Sequence, residues 1–289
     1  MFEKILVAVD NEPHTQGCLP ATVAIAARNG ASVLVTHVRR LGVREHDGNW
    51  DVETSREAHE LVAGAVRDLR DAGINAQGEV RTVDSDRSVG REIAESASEH
   101  EAGLIVIGSR RRGDVKALFG GSVSHDVLRH AQGPVLVAPP VGGDAILRRI
   151  LVAVDGSPAA HAALRLAGAI AVEQAADVIV SNVSRPAVVG MEYGGYVPSD
   201  FVAVGDAILE EARDTLRAMG VTKVTLAGAR AVPVAEAIAE TAAEMTADLI
   251  VIGSRGLGAA GSLLAGSVSH GVLHETTRPV LVTSAPRES

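Results

Sequence analysis

Short apolar runs recur along the chain, and each is followed by a polar or glycine-containing turn and then by a segment with apolar residues at helical spacing. The run at residues 4–9 is closed by Asp10, and the run at residues 149–154 is closed by Asp155. Continuous runs of Val, Ile and Leu are typical of strands that are buried on both faces of a parallel sheet. The alternation of strands and helices predicts parallel, doubly wound α/β sheets with right-handed crossovers.

The same pattern sets approximate bounds for the elements. The predicted strands are residues 4–9, 32–38, 75–83 and 134–138 in the first half, with a further strand before Gly108, and residues 149–154, 177–183, 222–229, 248–252 and 279–283 in the second. The predicted helices are a segment starting near Cys18, residues 52–72, 88–99, 158–172, 201–219, 233–245 and 267–275, and a segment opened by Ser122.

A glycine-rich string occurs twice and shows that the chain is an internal duplication. Gly108-Ser109-Arg110 runs on to Gly121-Ser122-Val123-Ser124-His125, and Gly253-Ser254-Arg255 runs on to Gly266-Ser267-Val268-Ser269-His270. The offset of 145 positions between the copies also maps Asp10 to Asp155. We therefore predict two domains, residues 1–140 and 148–289, joined by a Pro- and Gly-rich linker at residues 141–147.

Composition narrows the class of function. Of the 289 residues, 46% are apolar but only 2% are aromatic, so stacking platforms for nucleic-acid bases are nearly absent. A net charge of −9 argues against nucleic-acid or anionic-membrane partners, although Arg110-Arg111-Arg112 is a local basic exception. The single cysteine, Cys18, excludes an intramolecular disulfide, and no transmembrane run or signal peptide is recognised. We expect a soluble cytoplasmic protein in which Cys18 is a small buried residue rather than a reactive thiol.

The glycine-rich connections are candidate phosphate sites. Each follows an apolar strand and leads into a helix, so glycines can bare backbone amides and the helix start adds partial positive charge. Ser267 stands at the predicted helix start, either as a cap or as a phosphate ligand. Asp10 and Asp155 lie at the ends of the first strands, and each faces the same crevice as the glycine loop of its own half. Each is either a ligand contact or a helix cap. No Gly-Lys dipeptide and no Gly-x-Gly-x-x-Gly after the first strand is present, which excludes the common NTPase loop and weakens a dinucleotide-dehydrogenase interpretation.

Three motifs together resemble the universal stress protein family in its tandem, ATP-binding form. They are Gly253-x2-Gly256-x9-Gly266-Ser267, Ile-Leu-Val-Ala-Val-Asp at the start of each half, and Gly-Ser-Val-Ser-His at each last helix. The resemblance implies two Rossmann-like, adenine nucleotide alpha hydrolase-like sheets, each with five parallel strands in the order 3-2-1-4-5. It also implies ATP, accompanied by Mg²⁺, held between the first strand's end and the glycine loop.

The resemblance assigns ATP contacts residue by residue. In the second half, Asp155 and Val183 would contact the adenosine, and the phosphates would be lined by Gly253, Arg255, Gly256, Gly266, Ser267, Val268 and Ser269. The matching residues of the first half are Asp10, Val38, Gly108, Arg110, Gly121, Ser122, Val123 and Ser124. There Arg111 stands in place of the second motif glycine, so whether the first half binds ATP stays open.

The sequence leaves three hypotheses about function open. The first is a stress-response regulatory or signalling module that binds ATP with slow or no hydrolysis. The second is an adenine-nucleotide-using enzyme such as an ATPase or related hydrolase, against which the Ser-Gly-Gly-x-Asp-Ser loop of the ATP-pyrophosphatases is missing. The third is a member that binds no nucleotide and acts through protein contacts, in which the glycine loops are merely structural.

No catalytic residue is predicted. His125 and His270 each follow a serine, but neighbouring helix residues point about 100° apart, so a Ser–His nucleophile pair is not expected. We expect both histidines to be half-exposed helix residues. The two halves are predicted to pack as a pseudo-twofold pair through their fifth strands, and a homodimer of chains is left open.

Overall fold

The computed structural model describes residues 1–11, 17–40, 53–84, 86–109, 123–140, 146–184, 199–254 and 267–284. The chain divides into two compact units, one in each half, which are described in turn. The elements of the first are β1 (Lys4–Ala8), α1 (Cys18–Ala26), β2 (Ser32–Arg40), α2 (Ser55–Asp71), β3 (Ala76–Val83), α3 (Val89–Glu99), β4 (Leu104–Gly108), α4 (Val123–His130) and β5 (Val135–Ala138). Those of the second are β6 (Arg149–Ala153), α5 (Pro158–Gln174), β7 (Asp177–Ser184), α6 (Ser199–Ala218), β8 (Val224–Arg230), α7 (Val234–Glu244), β9 (Leu249–Ser254), α8 (Ser267–Glu275) and β10 (Val280–Ser284).

Each half contains five parallel strands, and the strand order 3-2-1-4-5 is confirmed in both. The first half has the order β3-β2-β1-β4-β5, and the second half has the order β8-β7-β6-β9-β10. In each sheet the direction of winding reverses beside the first strand, between β1 and β4 and between β6 and β9. A crevice therefore opens there at the carboxyl ends of the strands, which is where open α/β sheets bind ligands.

The central strands form the core, as their apolar runs predict. Ile5 pairs with Leu104 in the first half, and Ile150 pairs with Leu249 in the second, and all four side chains are almost wholly buried. Since both faces of each sheet are covered by helices, side chains on either face of these strands need to be apolar. The helices that cover them begin and end close to the predicted positions.

Local hydrogen bonds explain the boundaries that differ from the prediction. Helix α2 begins at Ser55 rather than at residue 52, because Thr54 and Glu57 form a capping box. Strand β2 continues to Arg40 because β3 pairs with it as far as Val83.

Cys18 lies at the start of α1 and is buried, as predicted. Burial, helped by the nearby negative charge of Asp10, raises the pKa of the Cys18 thiol to about 12. The thiol therefore stays protonated at neutral pH, which disfavours nucleophilic chemistry. Within the described ranges, no helix combines the length and the apolar character needed to cross a bilayer.

Candidate functional site

A cavity of about 400 Å³ lies at the winding reversal of the second half. Its walls come from the carboxyl ends of β6, β7 and β9 and from the starts of α5, α7 and α8. The residues that line it are Ala153, Val154, Asp155, Ser157, Ala160, Ser181, Val183, Val234, Ile238, Ile252, Gly253, Ser267, Val268 and Ser269. Six of the predicted ATP contacts are brought together here, namely Asp155, Val183, Gly253, Ser267, Val268 and Ser269.

Asp155 lies at the exposed mouth of this cavity, in the turn between β6 and α5. Its Oδ1 accepts a hydrogen bond from the Ser157 backbone amide at 3.0 Å. The helix cap is Ser157, whose Oγ accepts from the Ala160 amide at 3.2 Å. The alternative that Asp155 itself caps the helix is therefore wrong, because Asp155 shapes the turn that precedes the cap.

The strand end that carries Asp155 is also held in place by a hydrogen bond from the neighbouring strand, β7. Asn182 is buried, and its Nδ2 donates to the Val154 carbonyl oxygen at 2.8 Å. Since alternate residues of a strand face opposite ways, Ser181 and Val183 share the other face of β7 and both line the cavity. Asn182 thus fixes the end of β6 against β7, next to the carboxylate.

The start of α8 forms the opposite side of the cavity. The helix begins at Ser267, as predicted, and Ser267, Val268 and Ser269 all line the cavity. The first amides of a helix have no acceptor within that helix, and they carry the positive end of its dipole. This wall is therefore suited to an anion such as a phosphate.

Gly253 has a packing role that the sequence did not indicate. A Cβ atom on Gly253 would lie 2.5 Å from the carbonyl carbon and oxygen of Ala159 and 2.8 Å from the nitrogen of Ala160. Only a glycine allows the first turn of α5 to approach β9 this closely. We predicted a glycine here for access of an anion to backbone amides, whereas the described contact is between strand and helix.

The cavity lining includes a buried hydroxyl, that of Ser181, which the sequence reasoning missed. Ser181 is only 1% exposed, and its Oγ has no hydrogen-bond partner among the residues that the structure describes. Ser157, Ala160, Val234 and Ile238 were missed as well. The period of two along β7, counted back from Val183, was the available signal for Ser181, while the α7 residues are brought in by tertiary packing alone.

The first half places its matching residues at the same points of its own sheet. Asp10 follows β1 and is half-buried, Val38 is buried on β2, and Gly108 ends β4. Val123 and Ser124 open α4. The N-cap of α1 is Gly17, so the alternative that Asp10 caps this helix is wrong.

At the place in the first half that corresponds to Ser181, charged side chains form a hydrogen-bonded group. Thr36, which matches Ser181, donates from Oγ1 to Glu79 Oε1 at 3.1 Å. Arg81 donates from Nε to Glu92 at 2.7 Å and from Nη1 to Glu99 at 2.8 Å. These bonds, first of all the one that Arg81 donates to Glu99, raise the pKa of the Arg81 guanidinium, and Arg81 in turn lowers the pKa of the Glu99 carboxyl.

Several predicted contacts fall outside the described residues. These are Arg255, Gly256 and Gly266 in the second half, and Arg110, Gly121 and Ser122, together with Arg111, in the first. Their roles stay predictions.

The histidines of the last helices are half-exposed, as expected. His125 lies on α4 and His270 on α8, where the His270 and His274 rings are 4.6 Å apart. In the described part of the chain, no group of three or more His, Cys, Asp or Glu side chains is arranged to hold a metal ion.

Comparison with known proteins identifies relatives over the whole length. The model of the "Universal stress protein family" matches residues 1–139 and 147–284. Universal stress protein Rv2005c of Mycobacterium tuberculosis is 29% identical over 303 aligned positions, which cover 96% of each chain.

Two solved structures are also similar. The crystal structure of a universal stress protein from Archaeoglobus fulgidus matches 98% of this chain and 99% of its own, with a TM-score of 0.72 and 24% identity. A universal stress protein solved in complex with cAMP matches 48% of this chain and 99% of its own at 30% identity, with a TM-score of 0.39.

Proposed function

Because this chain belongs to the universal stress protein family, in a tandem form with one family domain in each half, we propose that its second half binds ATP in the cavity between β6 and β9. The single observation that carries the proposal is that six residues predicted from the family resemblance, scattered from Asp155 to Ser269, line one cavity. The complex with cAMP concerns the relative described above, whereas the support for ATP binding by this chain comes from its own cavity.

The cavity suits an adenine nucleotide in size and in the distribution of its chemistry. A volume of about 400 Å³ lies within the usual range for small-molecule sites, about 300 to 1,000 Å³. The β7 and α7 side presents Val183, Val234 and Ile238, which form an apolar wall for the nucleoside. The α8 side presents the first amides of a helix, which favour phosphate oxygens.

Asp155 has two roles in the proposed complex. Its Oδ1 keeps the turn that shapes the mouth of the cavity, and its carboxylate can accept a hydrogen bond from a ribose hydroxyl. Arg255, Gly256 and Gly266 are proposed to complete the phosphate side. Mg²⁺ would be carried mainly by the phosphate oxygens, since Asp155 is the one carboxylate among the described lining residues.

We propose that ATP occupancy regulates contacts of the protein and that hydrolysis is slow or absent. Efficient phosphoryl transfer needs carboxylates that hold metal and a group that positions water. The described lining residues supply Asp155 but no histidine and no second carboxylate. A stress-response signalling role therefore fits the site better than an ATPase.

The nucleotide content of the purified protein tests this proposal. The protein is purified without added nucleotide and denatured, and the supernatant is separated by HPLC. We expect adenine nucleotide to be released from the wild type and to be reduced in Asp155→Ala, whose affinity should fall at least tenfold because hydrogen bonds to charged groups contribute about 1.5 to 3 kcal/mol. Asp155→Asn keeps the turn but lacks the charge, so its content should lie between the two.

The matched control is Asp10→Ala, the same change at the equivalent position of the first half. This variant should keep the second site intact and release the nucleotide that is bound there. If the wild type carries no nucleotide and also binds none when ATP is added, the proposed function is wrong.

A further inference from the structure

We infer that Ser181 contacts the bound nucleotide directly, and that its hydroxyl hydrogen-bonds the nucleoside part rather than the phosphates. The inference rests on the proposed function, because it assigns a new contact within the same cavity. Ser181 lines the cavity and is only 1% exposed, and its buried Oγ has no hydrogen-bond partner among the described residues.

A buried hydroxyl without a partner is destabilising unless something else bonds to it. Most buried polar side-chain atoms in proteins have at least one partner. Ser181 follows the apolar residues Val178, Ile179 and Val180 on β7, and an alanine or valine at this buried position would pack without that cost. A ligand atom that enters the cavity is a partner that explains why a hydroxyl is placed there.

The position of Ser181 indicates which part of the ligand it meets. Ser181 lies on β7, on the side of the cavity away from β9 and α8, and it shares its strand face with Val183. Helix α7 packs over this end with Val234 and Ile238. One hydroxyl in an apolar wall suits a nucleoside, whose heteroatoms can donate or accept hydrogen bonds, better than a polyphosphate.

The first half shows what happens when this hydroxyl has a protein partner. Thr36 takes the place of Ser181, and its Oγ1 donates to Glu79. Glu79 pairs with Thr36 across β2 and β3, whereas the residue that pairs with Ser181 across β7 and β8 is Ala227. The hydroxyl of the first half is therefore satisfied within the protein, and the hydroxyl of the second half has been left for a ligand.

The test is a set of calorimetric titrations of ATP and of AMP into the full chain. Ser181→Ala should weaken the binding of both nucleotides by the same factor, about threefold to tenfold, because one neutral hydrogen bond is lost. Thr36→Ala is the matched control in the first half and should leave the affinity of the second site unchanged. Thermal unfolding without nucleotide should be unchanged or slightly raised in Ser181→Ala, which separates a lost contact from a folding defect.

A reciprocal variant transfers the arrangement of the first half to the second. Ala227→Glu places a carboxylate opposite Ser181, as Glu79 stands opposite Thr36, and should weaken ATP binding at least as much as Ser181→Ala. The double variant with Ser181→Ala should then bind no more weakly than Ala227→Glu does, if capture of the hydroxyl is the main effect.

The outcomes are separable. Wild-type protein that binds neither nucleotide overturns the proposed function and this inference together. If Ser181→Ala binds both nucleotides as tightly as the wild type does, only the inference is overturned, and the hydroxyl then has an ordered water as its partner. Weakening for ATP but not for AMP overturns the assignment to the nucleoside.

Discussion

The close contact between Gly253 and α5 gives a prediction whose size follows from the structure. A Cβ added at Gly253 would lie 2.5 Å from the Ala159 carbonyl, whereas ordinary van der Waals contact begins at about 3.4 Å. The neighbouring atoms belong to backbone, so no side chain can rotate away. In Gly253→Ala the start of α5 has to move by nearly 1 Å from β9.

Such overpacking costs about 1 to 3 kcal/mol, and the upper end applies here because a helix has to shift. In a domain of this size, about 3 kcal/mol lowers the midpoint of thermal unfolding by roughly 6 to 12 °C. Because α5 also carries Ser157 and Ala160, which line the cavity, the proposed ATP affinity should fall in the same variant.

Circular dichroism during thermal unfolding measures the first effect, and Gly64→Ala provides the control. Gly64 lies within α2, where the nearest atom to an added Cβ is the end of the Arg67 side chain at 3.8 Å. That change should stabilise the protein by about 0.5 to 1 kcal/mol, because alanine favours a helix over glycine. Wild-type stability in Gly253→Ala would refute the argument that Gly253 is required for strand–helix packing.

Two further predictions concern the first half. Removing the guanidinium in Arg81→Met takes the 2.7 Å ion pair from the buried Glu92, which keeps the 3.5 Å ion pair with Arg87, and should destabilise the protein by about 1.5 to 3 kcal/mol in urea denaturation. Since Arg81 lowers the pKa of Glu99, the contribution of that carboxylate is present above its ordinary value of 4.5 and is lost as the pH falls below it. The acid-induced loss of stability should therefore be shallower in Arg81→Met, and an equally steep loss would contradict this. Cys18, with its pKa raised to about 12, should resist iodoacetamide at pH 8 in the native protein and react once the protein is unfolded, as mass spectrometry would show.

The fold was accessible from the sequence because local patterns determine it. Uninterrupted apolar runs such as Ile150–Ala153 have the composition of strands buried on both faces, and the duplicated string required each half to repeat the other. The end of a buried parallel strand is also a predictable place for a site, which is why Asp155 and Gly253 were found. The boundaries were less accurate, because the start of a helix such as α2 is decided by a few local hydrogen bonds, here those between Thr54 and Glu57.

The parts of the site that the sequence did not reveal depend on long-range packing. Ile238 reaches the cavity because α7 packs on β7, and no local pattern shows where a helix will rest. The difference between Thr36 and Ser181 depends on the residue across the sheet, Glu79 or Ala227, which only the strand register reveals. For Gly253 the position was right and the physical reason was incomplete, since the helix that demands a glycine begins almost 100 residues earlier.

A calorimetric titration of ATP into the full chain tests directly whether the second half holds ATP between β6 and β9. The titration is repeated with Asp155→Ala and with Asp10→Ala. We expect heat from a site that is weakened at least tenfold by Asp155→Ala and preserved in Asp10→Ala. Equal binding in all three proteins, or weakening by Asp10→Ala alone, would contradict it.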